Sequence, residues 1–268
     1  MSIQKIRNTT LGVTLAKSLA ERGYRIFDIE IAKEVGSSIG IKEAYIKECL
    51  FHLKQVEWIT PLKRGLYALT PVLLSGNSIS EYEIAMAIVS PAAICCWSAF
   101  HFHQLTQQIP HQVFVMTVTG EKIPRAFVGK QNAGLISGIP YHLLNVKKEH
   151  FFGIQKIWNG EAEIHITDLE RTLLDGITKP KYCGGFAEVL EAFTIANGRF
   201  SLEKIIDYSS RLGNSAERRL GWVLDSLGVS NELILPILKK SNRGYIKLNA
   251  SGEKKGKFNK KWGVRENI

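Results

Sequence analysis

The sequence predicts an α+β protein in which an N-terminal winged helix-turn-helix is followed by a mixed α/β domain. Residues 24–69 order a short apolar helix, a longer amphipathic helix and two strand-like runs around a basic turn. Beyond Pro71, helix-like and strand-like segments alternate. At 268 residues with 45% hydrophobic content, the chain is long enough for two domains. We therefore expect a winged helix-turn-helix over 1–72, a mixed α/β domain over 73–248 and a basic C-terminal tail over 249–268.

The formal net charge of +10 is concentrated at the two ends of the chain. Residues 1–70 hold 11 Lys and Arg against 7 Asp and Glu, and residues 239–268 hold 10 against 2. The intervening segment is slightly acidic, with 14 basic against 16 acidic residues. Such segregation is typical of two phosphate-facing surfaces and indicates a nucleic-acid partner, although a solvated basic terminus would also explain the tail.

Several features favour a bacterial cytoplasmic protein without a membrane partner. No apolar run approaches the ~18–20 residues needed to span a bilayer. The first residues lack the apolar core of a signal peptide. The four cysteines show no CxxC spacing, and the adjacent Cys95 and Cys96 suit neither a disulfide framework nor a zinc site. We expect a reduced protein with no metal and no cofactor.

The amino-terminal periodicity predicts three helices. Leu11, Leu15 and Leu19 recur at helical spacing, and Gly23 is suited to end that helix. Asp28 is a candidate N-cap for a short second helix. Residues 36–40 are predicted to form the turn before the third helix, and their hydroxyls at Ser37 and Ser38 join the candidate DNA-binding set.

The third helix, over about residues 41–56, is the candidate recognition helix. Its apolar stripe consists of Ile46, Cys49, Leu50 and Leu53. The remaining face holds both charge signs, which is compatible with sequence reading because glutamate accepts hydrogen bonds from cytosine. Candidate DNA contacts on this helix are Lys42, Ala44, Tyr45, Lys47 and Glu48.

The hairpin predicted around Lys63-Arg64-Gly65 is the candidate wing. Gly65 can supply the positive φ of a tight turn, and two adjacent cations at its tip would be natural phosphate ligands. Two further cationic groups complete the candidate DNA surface. They are the helical pair Arg218 and Arg219, which could instead pair with Glu217 and Asp225, and the tail lysines Lys254, Lys255 and Lys257.

Several common catalytic and nucleotide-binding motifs are missing from the sequence. GxxxxGK[ST], HExxH and GxGxxG do not occur. An acidic run containing Glu163, Asp168 and Asp175 could suggest a metal-dependent nuclease. However, Asp168 is better placed as a helix N-cap, and Arg171 with Asp175 as an i,i+4 ion pair. We expect no enzymatic activity.

Six sequence blocks lie in order over some 200 residues. They are Arg22-Gly-Tyr-Arg-Ile-Phe27, the segment 58–69, Trp97-Ser-Ala-Phe-His-Phe-His-Gln-Leu-Thr-Gln-Gln-Ile-Pro110, Asp168-Leu-Glu-Arg-Thr-Leu-Leu-Asp175, Tyr182-Cys-Gly-Gly185 and Arg218-Arg-Leu-Gly221. Taken together, these blocks closely resemble the AbiEi family, the antitoxin half of bacterial AbiE-type (type IV) toxin–antitoxin systems.

The resemblance implies a winged-helix transcriptional repressor that binds repeats in operator DNA and autoregulates its own operon. It also implies a C-terminal domain that counters a nucleotidyltransferase-like toxin, as in abortive infection and phage defence, without a stable toxin–antitoxin complex. Two other functions stay open: a nucleic-acid-processing enzyme docked by a winged helix, and a protein-interaction adaptor. The glutamates of the third helix and the Pro61-Leu62 pair before Lys63 depart from the family pattern.

Overall fold

The computed structural model describes residues 3–121, 123–124, 127, 133–238 and 244–268. It is a mixed α/β structure with several sheets. The amino-terminal unit consists of α1 (Ile3–Glu21), β1 (Ile26–Asp28), α2 (Ile29–Ser38), α3 (Glu43–Gln55), β2 (Ile59–Lys63) and β3 (Leu66–Leu69).

The rest of the chain, the C-terminal body, has one large sheet, a second small sheet and further helices. Its strands are β4 (Ala93–Ile94), β5 (Val113–Val118), β6 (Ala133–Ile136), β7 (Ile139–Val146), β8 (Ile154–Asn159), β9 (Ala162–Thr167), β10 (Ile246–Lys247), β11 (Lys257–Asn259) and β12 (Val264–Glu266). Its helices are α4 (Glu81–Ile88), α5 (Cys96–Phe102), α6 (Leu169–Thr178), α7 (Phe186–Ile195), α8 (Leu202–Leu212), α9 (Asn214–Ser226) and α10 (Asn231–Leu238).

The helix ends of the amino-terminal unit follow the predicted signals. Gly23, at φ +80°, donates its backbone N–H to Ala20, and the next N–H reaches Leu19, which is a Schellman motif. The Asp28 carboxylate caps α2 by accepting from the N–H groups of Glu30 and Ile31 at 3.0 and 2.9 Å. Both predictions are confirmed.

The sheet of the amino-terminal unit has the strand order β1-β3-β2 and lies between two cores. On one face, Phe27, Ile59 and Leu69 pack against α1, α2 and α3. On the other face, Leu62 and Ala68 are buried in the same cluster as the apolar residues of α4. Both surfaces of the hairpin are therefore covered by protein.

The large sheet of the C-terminal body has the order β6-β7-β5-β4-β9-β8. Side chains of its strand β5 alternate between the two faces. Phe114 and Met116 enter a core shared with helices α5 to α10, whereas Val113 and Val115 enter the core shared with α4. Both faces of β5 are therefore buried.

The ion pair of α6 lies in the core rather than on the surface. Arg171 and Asp175 have side-chain exposures of 1% each, with Nε 3.2 Å from Oδ1. The Arg171 guanidinium also donates to the carbonyls of His150 and Phe152. The prediction of the pair from its i,i+4 spacing is confirmed, and the two carbonyls satisfy further donors of the buried guanidinium.

Residues 244–268 form part of the C-terminal body and pack against α9, so the prediction of a separate tail over 249–268 is wrong. Strands β10, β12 and β11 form a sheet in which β12 is central. Trp262 is 1% exposed and packs against Gly221 of α9, where a Cβ atom would overlap its ring. The lysine-rich composition of this segment did not indicate a core residue. Burial of the Trp262 indole nevertheless stabilises the folded segment, since an aromatic side chain removes some 150–250 Å² from water.

An arginine joins the amino-terminal unit to the C-terminal body. Arg25 contacts Glu83 of α4 at 3.0 Å and Glu161 of the β8–β9 turn at 2.6 Å, and it donates to the Ser78 carbonyl. Arg25 and Glu83 have side-chain exposures of 16% and 13%, so this contact is protected from bulk solvent.

Among the described helices, none combines the length and the apolarity needed to cross a bilayer.

Candidate nucleic-acid interface

A close approach of α2 and α3 fixes the orientation of the candidate recognition helix. Gly36 is buried within α2, and a Cβ atom there would overlap the Cδ1 of Ile46 on α3. The predicted turn over 36–40 is too long, because α2 continues through Ser38 and only the following residues turn. The four stripe residues predicted for α3 are all buried, so that prediction is confirmed.

The opposite face of α3 is open to solvent. Its predicted contact residues Lys42, Ala44, Lys47 and Glu48 are exposed, and Tyr45 is 41% exposed. Phe51 is 59% exposed on the same helix. The structure thus brings all the predicted residues of α3 onto accessible surface, although accessibility alone does not identify a ligand.

Neighbouring glutamates already form ion pairs with some of the basic side chains around α3. The Nζ of Lys33 on α2 lies 2.9 Å from Glu43 and 3.1 Å from Glu30. The hydrogen bonds that Lys33 donates to Glu43 and then to Glu30 raise the pKa of Lys33. In contrast, the Lys47 side chain has no hydrogen-bond or ion-pair partner in the described part of the chain. A ligand phosphate would therefore meet a free cation at Lys47.

The two serines of the predicted set have different environments. Ser38 accepts from Arg22 at 2.5 Å and donates to the Val35 carbonyl at 2.7 Å, so its hydroxyl closes the end of α2. Ser37 is exposed beside it. Only Ser37 presents a hydroxyl that is not already engaged within the described residues.

Lys63 does not lie free at the hairpin tip. Its Nζ donates to the carbonyls of Ile88 at 2.8 Å and Ala87 at 3.2 Å, the last acceptors of α4. Partial burial lowers the pKa of this amine. The expectation that Lys63 contacts phosphate is wrong in this conformation, because a cation near a helix C-terminus satisfies orphan carbonyls there.

Arg64 is the exposed cation of the hairpin. Gly65 adopts the positive φ (+77°) that the turn requires, and its carbonyl accepts from Ile29 N–H at 3.0 Å. The hairpin tip is thus fastened to the start of α2. The prediction of a tight glycine turn is confirmed, but the hairpin is short and offers one free cation rather than two.

Arg218 belongs to the interior, and its inclusion in the DNA surface is wrong. Only 4% exposed, it donates to the carbonyls of Trp262, Gly244 and Gly263. Arg219 is partly buried and donates to the Lys247 carbonyl at 3.0 Å. Burial lowers the pKa of both guanidinium groups. These arginines fasten residues 244–268 to α9.

The C-terminal lysines are exposed on a folded support. Lys254 and Lys257 have no side-chain hydrogen-bond or ion-pair partner among the described residues, whereas Lys255 lies 2.5 Å from Glu253. Exposed aromatic rings at Tyr245 and Phe258 lie on the same small sheet. Neither ring was predicted from the sequence. The lysines on either side of Phe258, Lys257 and Lys260, are the signal that could have indicated them.

The acidic run does not assemble a catalytic centre in the part of the chain that the structure describes. The Asp168 carboxylate caps α6, accepts from Tyr208 at 3.0 Å and lies 3.2 Å from Lys204. This confirms the predicted N-cap. No group of three or more His, Cys, Asp or Glu side chains within the described ranges could hold a metal ion.

Comparison with known proteins gives a likeness of fold. No protein-family model matches the sequence, and no curated protein matches it. Among solved structures, the crystal structure of the RV2827C protein from Mycobacterium tuberculosis is similar over 95% of this chain and 90% of that chain. The TM-score is 0.68 and the sequence identity 14%. At this identity the likeness concerns the fold alone, and it extends through both the amino-terminal unit and the C-terminal body.

Proposed function

We propose that the chain is a sequence-specific DNA-binding protein that represses its own operon in the bacterial cytoplasm, and that it acts by binding rather than catalysis. In this proposal the amino-terminal unit is a winged helix-turn-helix and α3 enters the major groove of operator repeats. The observation that supports it most directly is the surface of α3, which is exposed along its outer face while its inner stripe is fully buried.

Phosphate and base contacts would be divided along α3. Lys42 and Lys47 supply exposed cations near the helix start, where recognition helices usually meet the backbone and base edges. Tyr45 and Glu48 supply groups that can contact bases, with the carboxylate able to accept from cytosine N4. Arg64 adds one phosphate contact from the hairpin. The mixed charge makes affinity depend on complementarity as well as on the number of cations.

Titration of the DNA upstream of the chain's own gene tests this proposal. Lys47→Ala should weaken operator binding and reduce the magnitude of the slope of log K against log salt by about 1, because one phosphate contact is lost. Lys33→Ala is the matched control on α2. Since Lys33 is already paired with Glu43 and Glu30, its removal should leave that slope nearly unchanged.

Two results would contradict the proposal. One is equal affinity of the full chain for its own upstream DNA and for random duplex at low salt. The other is a salt slope that is unchanged in Lys47→Ala and changes only when residues outside the amino-terminal unit are substituted.

We further propose an antitoxin role, which rests on the sequence resemblance to the AbiEi family. The nucleotidyltransferase-like toxin would be a functional partner, and a stable complex is not required. Co-expression with the toxin encoded beside this gene should restore growth. Restored growth with the Lys47→Ala variant, whose DNA binding is weakened, would separate the antitoxin role from repression, whereas persistent growth arrest with the intact chain would reject that role.

A further inference from the structure

We propose that the outer face of the β10-β12-β11 sheet is a second nucleic-acid site, which binds single strands by stacking their bases on Tyr245 and Phe258. This goes beyond duplex binding by α3 and does not depend on it. The site combines aromatic rings, free cations and a rigid support, each of which is visible in the structure.

Strand register defines the outer face. Phe258 pairs with Arg265, and Arg265 pairs with Lys247 across the sheet, so these three residues form one cross-strand row. Because side chains two apart in a strand point to the same side, Tyr245 falls on the face of Lys247. The alternate residues Val264 and Leu248 are buried beneath the sheet. One side of the sheet thus packs on the core, and the other presents aromatic and cationic groups.

The two rings form a pair that remains open to solvent. Their centroids are 4.5 Å apart with an interplanar angle of 54°. Tyr245 is 48% and Phe258 is 53% exposed, and the Arg265 guanidinium lies 4.5 Å from the Phe258 centroid. Ring faces exposed beside a guanidinium are the surfaces on which unpaired bases stack.

The charge around the rings suits a phosphate backbone. Lys254 and Lys260 are exposed, and neither has a side-chain hydrogen-bond or ion-pair partner in the described residues. Lys257 directly precedes Phe258 and faces the other side of the sheet, in register with Glu266. The Glu266 carboxylate accepts from Trp222 at 2.7 Å and from Asn259 at 2.9 Å, and these hydrogen bonds together with the charge of Lys257 lower its pKa. The charge of Glu266 is thus held on the side of α9, while Lys254, whose carbonyl accepts from Arg265, and Lys260 supply unpaired cations near the rings.

The β10-β12-β11 sheet is held in place by its own contacts with α9. Trp262 is buried against α9 and donates its Nε1–H to Asp225 at 2.8 Å. Arg218 donates to three carbonyls that flank the sheet. A rigid support lowers the ordering cost of binding, which favours a real site over an incidental basic surface.

The exposed rings distinguish single strands from duplex as the ligand. In a duplex the base faces are already stacked on one another, so side chains can reach only base edges, sugars and phosphates. A single strand offers free base faces, and each base stacked on an aromatic side chain adds to its affinity. Lysines alone would bind either form, whereas Tyr245 and Phe258 contribute only to the unpaired one.

Fluorescence anisotropy with labelled 12-nucleotide oligo(U), oligo(dT) and a 12-base-pair duplex tests the site in the full-length protein. We expect Tyr245→Ala and Phe258→Ala each to weaken single-strand binding about tenfold, as loss of one stacked base implies. Phe258→Tyr keeps a ring and should retain most of the affinity. Trp158→Ala removes a 73% exposed ring elsewhere and serves as the matched control. Melting temperatures verify that each variant is folded.

The outcomes separate this site from the α3 proposal. Lys47→Ala should weaken duplex binding and leave single-strand binding unchanged, and the ring variants should do the reverse. A preference between oligo(U) and oligo(dT) would identify RNA or DNA as the natural strand. Single-strand affinity that is unchanged in both alanine variants, or that falls equally with Trp158→Ala, would overturn the inference. It would also be overturned if the ring variants weakened duplex binding as much as single-strand binding.

Discussion

The two basic ends of the chain use their cations in different ways. Around α3, glutamates neutralise part of the charge, as Glu30 and Glu43 do for Lys33. In residues 244–268, Arg218 and Arg219 of α9 hold the backbone by hydrogen bonds to its carbonyls, and exposed lysines remain on the surface. Both segments combine free cations with exposed aromatic side chains, but in the second segment two exposed rings contact each other on a folded sheet.

This difference shows that a cation's partners decide its role more than its position in a basic segment does. Arg64 and Lys63 are adjacent, but one is exposed while the other donates to the end of α4. Arg218 and Arg219 are also adjacent, and their burial differs. Substitutions at these neighbouring pairs therefore test the comparison directly.

The largest expected effect is at Arg218. Arg218→Ala removes the hydrogen bonds to three carbonyls near Trp262, of which that of Gly263 keeps a second donor in the Ile246 N–H. Hydrogen bonds to a charged group contribute about 1.5–3 kcal/mol each. We expect a loss of about 3 kcal/mol or more in the free energy of unfolding, or local release of residues 244–268. Chemical denaturation and hydrogen exchange measure the two effects separately.

Arg219→Ala is the control for this substitution. Arg219 makes one carbonyl contact, to Lys247, and is only partly buried, so its loss should be about 1 kcal/mol or less. Equal effects for the two arginines would mean that burial and bond number do not distinguish them as the structure shows.

Alanine substitutions at two helical glycines, one in α1 and one in α9, should change the free energy of unfolding by intermediate amounts and in opposite directions. Gly221→Ala in α9 introduces a Cβ atom that overlaps the Trp262 ring and should destabilise by about 1–3 kcal/mol. Gly12→Ala in α1 would place its Cβ atom 3.5 Å from Leu53 Cγ, an ordinary contact. It should be neutral or stabilise by up to about 1 kcal/mol, because alanine favours the helix. Thermal denaturation of both variants decides the signs.

The smallest effects concern the hairpin. Arg64→Gln should reduce the magnitude of the operator salt slope by about 1, since Arg64 is the exposed cation there. Lys63→Gln should leave the slope unchanged and lower the free energy of unfolding by about 1 kcal/mol, because two α4 carbonyls lose their donor. A slope change with Lys63→Gln alone would mean that the hairpin opens away from α4 on binding.

Local sequence signals predicted the features that depend on neighbours in the chain. The stripe of α3, the Asp28 and Asp168 caps and the glycine turn at Gly65 were all foreseen, because each is fixed by contacts within a few residues. The spacing of Arg171 and Asp175 likewise predicted their pairing.

Features that depend on distant partners were not predictable in this way. The Lys63 amine finds its acceptors 24 and 25 residues away, and Arg218 finds Trp262 at a separation of 44 residues. Composition suggested a basic tail, whereas the buried Trp262 indole and the hydrogen bonds of Arg218 organise a sheet there. The aromatic pair went unnoticed because β10 and β11 have two and three residues, too few for a reliable alternation signal.

The covered hairpin has a consequence for work with fragments of this protein. Severing the chain near residue 72 would strip Leu62 and Ala68 of their apolar neighbours on α4 and leave Lys63 without acceptors. A fragment of that kind would expose apolar surface to water and tend to self-associate. The behaviour of such a fragment would then misrepresent the intact molecule, in which α4 covers that side and Arg25 ties the amino-terminal unit to Glu83 and Glu161.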